Sequence, residues 1–134
     1  MPSMHPTTDY SIEEVFTGDD DLLVLSLGFA SAHDPLDVLH FACGKTVSGI
    51  TPPPVEDQLY VERTDQSLAC TGQVLRLGCE DGAIVLVLTQ EGAQSLQLAP
   101  ITRFRFDQHP ELFGIAAGQL AAMARAGQPN ISAA

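Results

Sequence analysis

Apolar and polar residues alternate along most of this chain with a period of two, and change to a helical period only near its end. Leu22 to Ala30 (LLVLSLGFA) is apolar on both faces, the pattern of a strand that is central or covered. His33-Asp34-Pro35 predicts a turn, because the proline denies helix to the residue before it. Leu36 to Cys43 then alternates loosely and reads as the return strand of an antiparallel pair. In Leu59 to Arg63, Leu59 and Val61 share one face while Tyr60 and Glu62 share the other. Leu68 to Cys79 is long for one strand, and Gly72 is the expected bulge or bend within it.

Glu80-Asp81-Gly82 is the clearest hairpin signal, since Asp-Gly accepts the positive φ values of tight primed turns. The wholly apolar Ile84 to Leu88 reads as a central strand, and Glu91 to Leu96 as one helical turn. Ile101 to Phe106 alternates cleanly, with Phe104 and Phe106 inward and Arg103 and Arg105 outward to pair with nearby carboxylates. Leu112, Ala116, Leu120 and Met123 recur at helical spacing, broadened by Phe113 and Ala124. Pro110 suits the first turn of that helix, and Gly127 with Pro129 its end.

Near the start, Tyr10 to Phe16 predicts a short strand around Glu13-Glu14, and Thr17-Gly18-Asp19-Asp20 a turn. The expectation is a single α+β domain spanning 1–134. Six or seven strands would form a mostly antiparallel sheet, with the C-terminal amphipathic helix packed on one face. Residues 1–8 are expected to be disordered, 44–57 to be a long loop carrying Pro52-Pro53-Pro54, and 127–134 to be a frayed tail.

Charge changes this picture. Eight carboxylates (Asp9, Glu13, Glu14, Asp19, Asp20, Asp21, Asp34, Asp37) precede the first basic residue, Lys45. A one-signed field attracts a partner of opposite sign and repels polyanions, and six basic residues among 134 make nucleic-acid binding a poor fit. Leu22 to Ala32 imitates a signal-peptide core. It follows Asp19-Asp20-Asp21 instead of a positive segment and is too short to span a bilayer, so no membrane role is expected and a cytoplasmic location is.

The candidate chemistry is thin. Gly44-Lys45-Thr46 imitates the tail of a phosphate-binding loop, but Leu39 stands where that motif needs glycine. His33, Asp34, Asp37 and His40 could be drawn as a metal cluster, yet on a strand Asp37 and His40 face opposite sides. Cys43, Cys70 and Cys79 include no CxxC pair and read as small buried hydrophobes, although a Cys70–Cys79 bridge is conceivable across a sheet. Gly114 and Gly118 form a GxxxG whose simplest use is close packing. No catalytic residues, cofactor or metal site are therefore expected. The candidate partner contacts are Asp19, Asp20, Asp21, Asp34 and Asp37.

From Asp57 to about Arg125 the chain resembles the immunity protein 10 family of bacterial polymorphic toxin systems. The resemblance runs through Leu59-Tyr60-Val61-Glu62, Gln66 to Gly72-Gln73-Val74, Ile84 to Leu88, Glu91-Gly92-Ala93, Phe104-Arg105-Phe106 and the final helix. Leu27-Gly28-Phe29-Ala30 looks similar to that family's opening strand region, while Cys70-Thr71-Gly72 departs from the aromatic and glycines expected there. The resemblance implies a non-enzymatic antitoxin that neutralises a cognate toxin domain by direct binding. It leaves the toxin's chemistry unspecified and supplies no site residues, while the acidic first third would fit a basic toxin. The alternatives are a small adaptor or self-associating β-rich domain, including a homodimer, and a small thiol-dependent enzyme.

Overall fold

A computed structural model describes residues 7–31, 35–45, 58–64 and 67–132. The fold is α+β, with nine strands in one mixed sheet and two helices among the described residues. In chain order the strands are β1 (Thr7–Gly18), β2 (Leu22–Phe29), β3 (Asp37–Gly44), β4 (Tyr60–Arg63), β5 (Ala69–Thr71), β6 (Val74–Glu80) and β7 (Ala83–Leu88). Helix α1 (Gln90–Leu96), β8 (Ile101–Arg105), α2 (Glu111–Arg125) and β9 (Ile131–Ser132) complete it. The sheet order is β5-β4-β3-β2-β1-β8-β7-β6-β9.

That order cannot be flat. β5 and β6 are joined only by Gly72 and Gln73, a link that reaches at most about 11 Å. Seven strand spacings separate them in the sheet order, which would be roughly 34 Å on a plane. The sheet therefore curls until its two ends meet, and two backbone bonds secure the junction, Gly72 N–H to Leu59 O and Thr89 N–H to Gln73 O. Gly72 has φ +71°, which a side chain would strain, so the expected bend is the break between two strands.

β1 belongs to both halves of the curl. Its first part pairs in parallel with β8 (Tyr10 opposite Phe104), and its second part antiparallel with β2 (Val15 opposite Leu27). A bulge between Ile12 and Glu14 separates the two. Strict alternation from Ile12 would send Glu14 and Phe16 into the core. The extra residue shifts the phase, so that Val15 packs inward and Phe16 points out.

Leu25, Leu27, Phe29, Leu39, Phe41 and Val61 line the inner side of one half, facing Leu77, Ile84, Leu86 and Phe104 of the other. Tyr10 and Phe29 lie 4.6 Å apart and Phe29 and Phe104 5.4 Å apart, which ties the halves together at β1. Helix α2 closes the open side. Ala116, Leu120 and Met123 enter the same core, Phe113 meets Phe106 edge-on at 5.4 Å, and Gln119 Nε2 donates to the carbonyls of Gly18 and Val24.

The sheet is mostly antiparallel, as expected, with two parallel pairs, β1·β8 and β6·β9. Two expectations are corrected. Among the described residues the strands number nine, because Leu68 to Cys79 divides at Gly72 and the tail supplies a strand of its own. The ends also differ: β1 begins at Thr7 and runs for 12 residues, and the segment expected to fray folds back. There Ile131 and Gln128 are buried, and Leu77 N–H bonds to Asn130 O. The loop carrying Pro52-Pro53-Pro54 lies outside the described residues.

Gly78 makes room for this last strand. A Cβ there would overlap Ser132 Oγ and come within 2.9 Å of the Ser132 carbonyl. Gly78→Ala should therefore displace β9 and lower stability by about 1–3 kcal/mol, read as a fall in thermal midpoint. An unchanged midpoint would mean that β9 does not dock on β6.

Candidate functional site

The strand registers divide the outer surface into two regions of different character. On the β1–β5 half, outward positions align as cross-strand rows. Phe16, Ser26, His40 and Glu62 form one row, and Gly18, Val24, Ala42, Tyr60 and Thr71 the next. Glu14, Gly28 and Val38 form a third, against which Leu36 packs. Among the described residues this half carries four of the six exposed large hydrophobics: Phe16 (57% exposed), Leu22 (47%), Leu36 (43%) and Tyr60. Its outward charged side chains on the strands are carboxylates, Glu14 and Glu62. Asp19, Asp20 and Asp21 stand exposed on the turn between β1 and β2, and Lys45 lies just beyond the end of β3.

The outer side of the other half carries arginines that stand beside carboxylates. Arg103 lies between Asp9 and Val85 in its row, and Arg105 between Ser11 and Ala83. Arg103 and Arg76 each approach Glu80 at 3.5 Å, and Arg105 approaches Asp107 at 3.4 Å, the pairing with carboxylates expected of Arg103 and Arg105. These are exposed ion pairs of little energetic weight.

The five candidate contact residues therefore separate. Asp19, Asp20 and Asp21 lie together at one turn, and Asp34 falls outside the described residues. Asp37 is not a surface group. It is buried on the inner face of β3, where its carboxylate takes hydrogen bonds from the Arg63 guanidinium and the Ser31 hydroxyl. Burial pushes this carboxyl up, but those bonds, the charge of Arg63 and a bond from Thr64 outweigh it and hold the pKa below its ordinary value. Arg63, 1% exposed, also donates from Nη1 to the carbonyls of Leu96 (2.9 Å) and Gln97 (3.0 Å) at the end of α1.

The signal for this latch lies in the sequence. Period two places Asp37 with Leu39, Phe41 and Cys43, and Arg63 with Leu59 and Val61. Two opposite charges on apolar strand faces are the signal of a buried ion pair.

Nothing among these groups is activated for covalent chemistry. Cys43, Cys70 and Cys79 are free thiols. Burial raises the pKa of all three, that of Cys43 to about 11, with the Glu91 carboxylate adding to the effect at Cys70. Alkylation of the native protein should accordingly be slow at pH 7 and accelerate only well above pH 9. Rapid labelling of one cysteine at neutral pH would contradict this. Ser26 Oγ and His40 Nδ1 are 2.6 Å apart, but Ser26 is buried within this row, and Glu62 accepts a bond from the Tyr60 hydroxyl. This row is a set of polar groups that satisfy one another. Among the described residues no group of three or more His, Cys, Asp or Glu is placed to hold a metal ion. In the same residues no helix is long and apolar enough to cross a membrane.

Cavities in the described part are small. A cleft of about 250 Å³ lies on the outer side of the β1–β5 half, lined by Leu22, Ala42, Gly44 and Tyr60. It is below the range of a typical small-molecule site. No family model, curated protein or solved structure matches this chain.

Proposed function

We propose that this protein is an immunity protein: a non-catalytic antitoxin that occludes a cognate toxin domain by direct binding. One observation carries the reading. The outer surface of the β1–β5 half combines exposed apolar side chains with carboxylates, while the arginines lie on the opposite half, in the core or at the end of α2. Apolar anchors ringed by charge of one sign are what a specific, fast-associating interface requires. The raised thiol pKa values and small clefts favour binding over turnover. The strand pattern that resembles the immunity protein 10 family is the second support, and a cytoplasmic site of action accompanies it.

The reading predicts a neighbouring gene for a long secreted protein with a variable C-terminal domain, and co-expression with that domain tests it. Growth should be rescued, and a one-to-one complex should co-purify. Absence of both rescue and complex would retire it. Within such a complex, neutralising Asp19, Asp20 and Asp21 together to asparagine should slow association by about tenfold and flatten its salt dependence. Unchanged rates would assign the acidic turn to solvation alone.

A further inference from the structure

Resting on the reading of this protein as a binding protein, we propose that its partner docks on the outer face of β1, β2 and β3, presenting a basic surface with an apolar centre that receives Phe16 and Leu36. The β1 bulge is what creates this site. The phase shift at Glu13 turns Phe16 outward at the cost of exposing an aromatic ring, although Val15 already supplies the core contact at that point. Leu36 reaches toward Gly28 in the neighbouring row, 3.5 Å from where a Cβ on that glycine would lie. Gly28 carries no side chain to press on Glu14, whose Cβ would lie 3.2 Å from one, so Glu14 and Leu36 close over it and form the surface there.

Charge complementarity selects the occupant. On this face of β1 to β3 the ionisable groups include Glu14 and His40, with exposed Glu13 at the bulge, Asp9 farther along β1 beside Arg103, Asp19, Asp20 and Asp21 at the adjoining turn, and no lysine or arginine before Lys45 in the chain. A second copy of this chain would bring the same carboxylates and a formal net charge of −11 against them. Nucleic acid is repelled for the same reason. A cationic protein surface can neutralise the rim while Phe16 and Leu36 lose their exposure to water.

The probe is a heptapeptide with a Leu-Phe-Leu centre and two lysines at each end, titrated into the ¹⁵N-labelled full chain. Two comparison peptides replace either the lysines by glutamates or the apolar centre by lysines. The expected result is binding about tenfold tighter than either comparison, with amide shifts confined to Phe16, Leu36 and their row neighbours. Phe16→Ala and Leu36→Ser should each weaken it severalfold, whereas Leu75→Ala, at an exposed leucine on β6, should not. Equal binding of the all-lysine peptide, shifts on the arginine-bearing half, or dimerisation through Phe16 would each overturn the proposal.

The two readings fail separately. A toxin complex that leaves Phe16 and Leu36 unprotected from hydrogen exchange removes this site and keeps the antitoxin. Peptide docking at Phe16 without toxin rescue does the reverse.

Discussion

Asp37→Ala should destabilise the protein by about 3–5 kcal/mol, because it leaves the Arg63 guanidinium buried without a counter-charge. The remaining partners of that guanidinium include the carbonyls of Leu96 and Gln97, which are dipoles and cannot replace a carboxylate. Against a total stability of roughly 5–15 kcal/mol, such a loss is a large share of what holds the fold. Urea denaturation gives the measurement, and a change below about 1 kcal/mol would show the pair to be solvated. The double replacement Asp37→Leu with Arg63→Met should recover most of the loss, since apolar groups of similar volume remove both charges at once.

The same pair makes a pH prediction with a definite sign. The Asp37 pKa is lower in the folded than in the unfolded protein, so near its ordinary value of 3.8 the unfolded chain binds more protons. Its contribution is present above the unfolded value and disappears as pH falls through the folded one. Stability should therefore hold from neutral pH to about 5 and decline below about 4. In Asp37→Asn the protein should start less stable and show a shallower acid decline. An identical acid profile would remove Asp37 as its cause.

Phe29→Ala should cost a comparable amount, about 3–5 kcal/mol, and Phe104→Ala the same. Both rings are fully buried where the two halves of the curled sheet meet around Tyr10. The sheet on either side is pinned by hydrogen bonds, so it cannot collapse into the cavity. Because the rings touch, the double variant should lose less than the sum of the single losses. Strict additivity in urea denaturation would mean that the halves are not coupled through these rings.

Much of the fold was legible because strand faces follow directly from alternation. Arg103 and Arg105 emerge outward between Phe104 and Phe106, and the Asp81-Gly82 turn has the positive φ values, +52° and +77°, that its residues allow. The Thr89 hydroxyl caps α1 by accepting from Gly92 N–H at 3.0 Å, just ahead of the helical turn expected from Glu91. Of the candidate site, the acidic turn at Asp19, Asp20 and Asp21 was visible as composition. Asp37, a surface group by its charge, is turned inward by its phase with Leu39 and Phe41.

By itself the sequence determined the strand and helix segments, the α2 stripe, the turns and the uneven distribution of charge. These depend on residues near one another in the chain, where period, turn chemistry and propensity act directly. Only the tertiary structure decided the parallel pairings of β1 with β8 and of β6 with β9, the curl that joins β5 to β6, and the burial of Asp37 against Arg63. It also decided that Phe16 faces outward, through one extra residue in β1. Each of these is fixed by what a strand meets across the sheet, and a one-residue change of phase there reverses every side chain that follows.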